Sequence, residues 1–269
     1  LPPLFSFLYW LKQGRKNPKI PKNNPMVVDW KEHVIKGSHP DAPAANVDPD
    51  EMAVILYSGG TTGTPKGIML SHMNFVAEGT MCAHWVGMNA EYADILAMLP
   101  IFHGFGLGVC VNTALMFGGK CIMVPIFDPD MAAKMMKKKP NYIVGVPTIY
   151  EALSKSKIFQ NSDLSCLKAC FSGADTLPRP VKESFEKIVA EKGGKGVYLL
   201  EGYGLTEAVT AIMATPIGQY REGSMGIPFP DMLAKIVKRG TTEEAPVGEE
   251  GEICLHGPAV MLGYLDEPE

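Results

Sequence analysis

Two things are missing from this chain: an excess of basic residues and a cysteine framework. Lys and Arg number 25 against 29 Asp and Glu. No global positive field is therefore available to neutralise a phosphate backbone, and a nucleic acid is not expected as a partner. Charged residues make up 20% of the chain and hydrophobic residues 46%, a balance that excludes disorder. The cysteines Cys82, Cys110, Cys121, Cys166, Cys170 and Cys254 contain no C-x-x-C pair, which argues against a zinc knuckle or a dithiol redox site. They read as reduced, mostly buried thiols of a cytoplasmic protein.

No membrane-spanning helix is expected either. The uncharged stretch between Asp94 and Lys120 has the length for one, but Pro100, His103, Asn112 and five glycines inside it fit a buried strand, a loop and a helix better. The apolar run Leu1 to Leu11 is followed, not preceded, by Lys12, Arg15, Lys16, Lys19 and Lys22, the wrong order for a secretory signal. That order leaves two readings of residues 1–22: peripheral contact with an anionic membrane surface, or a face that packs against another part of the protein. The chain starts at Leu1 and stops at Glu269 just after Pro268, so a piece of a longer protein is expected.

The 269 residues can bury a sizeable core in one large domain or two small ones. Residues 1–47 read as an apolar segment and a Pro-, Lys- and Asn-rich connecting arm. From 48 to 225 short apolar runs at 53–57, 94–99, 120–124, 142–146, 169–172 and 197–200 alternate with helical patterns at 104–117, 129–139, 148–156 and 180–192. The run 53–57 suits a strand buried on both faces, and Ser71 can cap a helix to about Trp85 that buries Phe75 and Val76. Met81, Met88, Met98 and Met116 read as core or as lining for an apolar tunnel. The alternation predicts an α/β fold with a largely parallel sheet flanked by helices. Residues 226–269, with apolar runs at 233–237 and 251–255, predict the start of an antiparallel β subdomain.

The chemistry begins at Tyr57-Ser58-Gly59-Gly60-Thr61-Thr62-Gly63-Thr64-Pro65-Lys66-Gly67. A strand entering a glycine-rich loop lets successive backbone N–H groups approach an anion, and three threonines and a lysine add donors and charge. The loop predicts phosphate binding. It differs from the P-loop of kinases and ATPases, which needs Gly before the Lys and Ser or Thr after it.

This segment resembles the phosphate-binding signature of the adenylate-forming enzymes, the superfamily of acyl-CoA synthetases, luciferase and peptide-synthetase adenylation domains. Pro100-Ile101-Phe102-His103, Phe171-Ser172-Gly173-Ala174-Asp175-Thr176-Leu177-Pro178 and Glu201-Gly202-Tyr203-Gly204-Leu205-Thr206-Glu207 follow in that family's order. Gly223 to Pro228, Gly251 to Pro258 and Gly263-Tyr264 complete the series. The resemblance implies ATP-dependent activation of a carboxylic acid to an acyl-adenylate, then thioester formation with coenzyme A. It implies that Ser58, Gly60, Thr61, Thr62, Gly63 and Lys66 cradle the β- and γ-phosphates. Thr206 is then placed on the α-phosphate and Glu207 on Mg²⁺. Tyr203 would stack on adenine opposite Ser172, Gly173 and Ala174, with Gly202 near the acyl carbonyl, Gly204 in the same segment and His103 as a gate beside the carboxylate. His72 reads as structural.

Taken singly, Glu207 reads as a solvent-facing helix start and His103 as a histidine satisfied by a carbonyl; only their place in the ordered motifs reverses that. The apolar stretch 95–119 and the spelling of the 201–207 motif favour a fatty acid as substrate. An aryl-acid or amino-acid adenylating domain that loads a carrier protein, and a nucleotide-binding fragment without turnover, stay open as alternatives. The family's ribose-gripping Asp-Gly segment and its lysine-bearing mobile domain find no counterpart before Glu269. Weak nucleotide binding, little ligase turnover and self-association through bared apolar surface are therefore expected of this chain.

Overall fold

The computed structural model describes residues 3–12, 14–16, 24, 26–30, 35–36, 45–58 and 65–267. They fall into two compact units, Leu1–Asn46 and Val47–Glu269. The first unit holds helix α1 (Pro3–Lys12) and a 3₁₀ turn at Gly14–Lys16. Within α1, Phe7 stacks on Trp10 with ring centroids 6.4 Å apart. Phe7, Leu8, Tyr9 and Trp10 are all exposed.

The second unit opens with β1 (Met52–Tyr57), which pairs antiparallel with β2 (Gly67–Ser71). The expectation of a strand buried on both faces is corrected here. Leu56 is buried, but Met52 and Tyr57 are exposed, because an edge strand of a small antiparallel sheet covered on one side needs only part of its residues inside.

Ser71 caps α2 (His72–Trp85) as expected. Its Oγ accepts the Asn74 N–H at 3.1 Å while Asn74 Oδ1 accepts the Ser71 N–H at 2.8 Å, a reciprocal capping box. The buried face follows Asn74, Glu78, Met81 and Cys82, an i, i+4, i+7, i+8 stripe. Val76 lies off that stripe and is exposed, against expectation, while Phe75 is half-buried beside Leu56. Ser71→Ala removes one buried acceptor, and urea unfolding should show a loss of about 1 kcal/mol.

The central sheet has seven strands in the order β4-β3-β5-β6-β7-β8-β9. After β3 (Ile95–Ala97) the chain forms a π-helix, Phe105–Asn112, that runs into α3 (Thr113–Met116). Then come β4 (Cys121–Met123), α4 (Pro129–Met135) with a 3₁₀ turn at Met136–Lys138, β5 (Tyr142–Gly145), α5 (Pro147–Lys155) and α6 (Lys157–Gln160). β6 (Ala169–Ser172), α7 (Arg179–Glu191), β7 (Leu199–Gly204), β8 (Ala211–Ala214) and β9 (Ile227–Pro228) complete the layer. From β4 to β7 all pairings are parallel; β8 and β9 add an antiparallel edge. β10 (Leu233–Val237) and β11 (Glu252–His256) pair antiparallel, and β12 (Gly263–Tyr264) returns to β2.

Side chains alternate across the sheet, as a strand period of two requires. Ile143, Cys170 and Leu199 pack with Tyr150, Phe159 and Phe185 under α5, α6 and α7. Tyr142, Val144 and Ala169 face the opposite layer, with Met81, Val109, Met213 and Phe229. Met81 and Met98 are core residues, but Met116 is exposed at the end of α3, so its expected place in the core is corrected. All six cysteines are free, three of them buried. Among the described residues, no helix is long and apolar enough to cross a membrane.

Candidate active site

The carboxyl ends of β5, β6 and β7 open into one cleft, the place where α/β sheets bind ligands. Its polar and glycine-rich lining comes from His103, Ser172, Gly173, Ala174, Gly202, Tyr203, Gly204 and Thr206. The rest of the lining is mostly apolar and includes Trp85, Val86, Met88, Ile95, Val109 and Phe229. The empty volume is about 1090 Å³, open mouth included. Three segments far apart in sequence therefore bring eight of the anticipated site residues to one cleft.

Each wall segment has a local cause. β6 delivers Ser172, which is buried and whose Oγ has no hydrogen-bond partner among the described residues. Gly173 N–H then donates to Gly145 O at 3.2 Å, and Ala174 adopts a left-handed backbone, φ 66°, turning the chain away from the cleft. His103 sits just before the π-helix, and its Nδ1 accepts the Phe105 N–H at 3.1 Å. A neutral ring held this way carries its proton on Nε2, the nitrogen left for a ligand.

β7 ends at Gly204, where a Cβ would stand 1.4 Å from Thr210 O. The chain then makes a 3₁₀ turn, Thr206–Ala208, followed by Val209 at φ 60°, ψ −63° with Thr210 N–H bonded to Ala208 O at 2.7 Å. A β-branched residue in this γ-turn is strained, and Val209 is fully buried. The packing around it therefore holds the conformation and with it the position of Glu207.

Ser58 and Lys66 close the base of the predicted phosphate loop. Ser58 N–H donates to Lys66 O at 3.0 Å, and Lys66 N–H reaches Ser58 Oγ at 3.4 Å. Gly60, Thr61, Thr62 and Gly63 lie outside the described residues. Lys66 Nζ stands 4.5 Å over the Tyr264 ring and 3.2 Å from Glu267 Oε2. Tyr264 in turn donates its hydroxyl to Glu207 Oε1 at 3.0 Å. Tyr264 thus joins the base of the loop to Glu207, although neither Lys66 nor Glu207 lines the cleft itself. The Lys66 ammonium is pushed above its ordinary value, first by its bond to Glu267, with smaller help from Tyr264 and Glu207.

Tyr264, Glu267 and Asn74 were not assigned roles from sequence. Gly263-Tyr264 belongs to the motif series without a stated task, and Asn74 lies in the first turn of the helix that Ser71 caps. Its side-chain amide donates to Pro258 O at 2.8 Å and Val260 O at 2.9 Å, tethering to α2 the segment that carries Tyr264. Met261 N–H to Glu207 O at 2.8 Å and Leu265 N–H to Gly67 O at 2.7 Å complete the tether.

Among the described residues, no group of three or more His, Cys, Asp or Glu comes together to hold a metal. A single half-buried carboxylate at 207 nonetheless fits Mg²⁺, which is commonly held by one or two protein carboxylates and the phosphates of its nucleotide.

A sequence profile described as AMP-binding enzyme matches residues 11–265. A long-chain-fatty-acid–CoA ligase of Bacillus subtilis is 43% identical over 227 residues, covering 83% of this chain and 40% of that protein. The crystal structure of a long-chain-fatty-acid-CoA ligase from Archaeoglobus fulgidus superposes with a TM-score of 0.78 at 27% identity, over 88% of this chain and 48% of that one. ATP-bound MatB from Rhodopseudomonas palustris does so with a TM-score of 0.76 at 30% identity, over 87% and 45%. The chain spans about two-fifths of the length of the curated relatives it matches.

Proposed function

The chain belongs to the AMP-binding enzyme family, and from that premise we propose that it is the nucleotide- and acid-binding part of an AMP-forming acyl-CoA synthetase acting on a fatty acid. The observation that carries this reading is the cleft itself, which joins a polar, glycine-rich lining to an apolar one. A carboxylate at the junction has a nucleotide on one side and room for its hydrocarbon on the other.

In the proposed reaction a substrate carboxylate oxygen attacks the α-phosphorus of ATP. The new C–O–P bond forms as the bond to the β-phosphate breaks, and pyrophosphate leaves. The thiol of coenzyme A then displaces AMP from the acyl carbon and gives up its proton. The substrate is its own nucleophile, so the chain's task is to hold two anions together and to spread the charge.

In this proposal Ser58, Lys66 and the loop residues Gly60, Thr61, Thr62 and Gly63 hold the outer phosphates, with Thr206 at the α-phosphate. Tyr203 stacks on adenine against the Ser172-Gly173-Ala174 wall, and Gly202 and Gly204 keep the backbone open beside it. His103 offers Nε2–H toward the carboxylate. Glu207 would hold Mg²⁺, which when bound neutralises phosphate charge. Residues 48–225 form the ATP- and acyl-binding part and 226–269 the start of a β subdomain. The exposed apolar face of α1 beside Lys12 and Lys16 supports peripheral membrane contact, and exposed Phe102 and Ile126 support self-association.

ATP with Mg²⁺ should raise the melting temperature, and hexadecanoate should add to the shift more than phenylalanine does. Glu207→Gln should weaken Mg²⁺-dependent ATP affinity about tenfold, ~1.4 kcal/mol, by calorimetric titration. If neither ATP nor AMP shifts the melting temperature, the reading is wrong.

A further inference from the structure

The reaction described above does not use Glu78, yet this acid is fully buried in α2. Its Oε1 accepts the backbone N–H of Ala211 at 3.2 Å, and its Oε2 has no hydrogen-bond partner among the described residues. Three elements meet at this carboxyl. The first is α2, which follows the phosphate loop. The second is the π-helix that follows His103. The third is the strained turn that leads from Glu207 into β8. The sequence leaves room for it at Gly108, where a Cβ would stand 2.6 Å from Glu78 Oε2 and 3.0 Å from Val209 Cγ1.

We propose that Glu78 is a positioning residue for the nucleotide site, fixing the turn Glu207 to Thr210 against the π-helix through its bond to the Ala211 N–H. The inference rests on the nucleotide-binding reading and names a residue that reading does not need. A leucine here would fill the space but leave the Ala211 N–H without an acceptor beside an already strained Val209.

Burial favours the neutral form of the group. Burial raises its pKa from the ordinary 4.5 to about 8, with the Ala211 bond opposing the rise. The titratable groups facing it are Cys82 on its own helix and Cys110 on the π-helix; burial pushes both thiols up, and repulsion from Glu78 adds to the rise of each. From β8 the backbone N–H of Ala211 meets it. Because the folded-state value is raised, the stabilisation is complete below 4.5 and is lost as pH rises through about 8. Above that point a charge is forced into the seam, and the turn that carries Glu207 is displaced.

The test is titration of the chain with Mg²⁺ and ATP from pH 6.5 to 9, alongside melting curves, for wild type, Glu78→Gln and Glu78→Leu. Wild type should lose about tenfold in ATP affinity across that range, whereas Glu78→Gln, which has no proton to lose, should vary less than about twofold. Glu78→Leu should bind ATP more weakly than Glu78→Gln at every pH. Superimposable pH profiles for wild type and Glu78→Gln, with ATP binding intact, would overturn the positioning role alone. Absence of ATP binding by any of the three proteins at any pH would overturn the nucleotide reading and the positioning role together.

Discussion

Gly204→Ala is expected to destabilise the protein by roughly 3 kcal/mol or more. The added Cβ would lie 1.4 Å from Thr210 O, 2.3 Å from Thr210 C and 3.0 Å from Ala211 Cα. All three are backbone atoms, so no rotamer change relieves the clash; β8 must move away from β7. The pairing of these strands already shifts register between Tyr203 and Gly204, and the displaced segment includes the turn that positions Glu207. Melting temperature should fall by about 6–12 °C, given 2–4 °C per kcal/mol for a domain of this size, and ATP affinity should fall with it. A melting temperature within about 2 °C of wild type would show that the β7–β8 contact is not as close as described.

Asn74→Ala is the second large effect, about 3 kcal/mol. The amide is 5% exposed and its substitution removes the bonds to Pro258 O and Val260 O as well as half of the capping box. Two carbonyls then lose their donor, and the segment that carries Tyr264 is no longer tied to α2. The expected signature is a stability loss accompanied by weaker ATP binding. Ser71→Ala, which breaks the other half of the same box without touching 258–260, should lower stability alone. Equal ATP affinities for the two variants would show that the tether does not position Tyr264.

The difference between those two variants also shows what the sequence could and could not reveal. Ser71 was legible because a serine before an apolar helical stripe has a local signature, and β6 and α7 were legible through an apolar run at 169–172 and a helical pattern at 180–192. The bonds from Asn74 to residues 258 and 260 span more than 180 positions and leave no trace in local pattern. The same is true of β2, whose apolar residues follow directly on the glycine-rich loop and show no polar alternation to mark a strand. Glu78 was illegible for another reason, since an acidic residue within a helix ordinarily faces water and only the glycine at 108 makes its burial feasible. The motif residues were found together because their order matched a family, and the fold explains that order: 103, 172–174 and 202–206 follow or end the parallel strands β3, β6 and β7 of one sheet. The conformation of Val209 has no sequence counterpart, because a β-branched residue is the least expected occupant of positive φ.

The account turns on where a nucleotide sits, and a crystal structure of the chain with Mg²⁺ and a non-hydrolysable ATP analogue measures that directly. The adenine is predicted against Tyr203 and the 172–174 wall, with the phosphates running past Thr206 to the loop closed by Ser58 and Lys66 and the metal on Glu207. A nucleotide bound elsewhere, or phosphates directed away from Lys66 and Glu207, would contradict it.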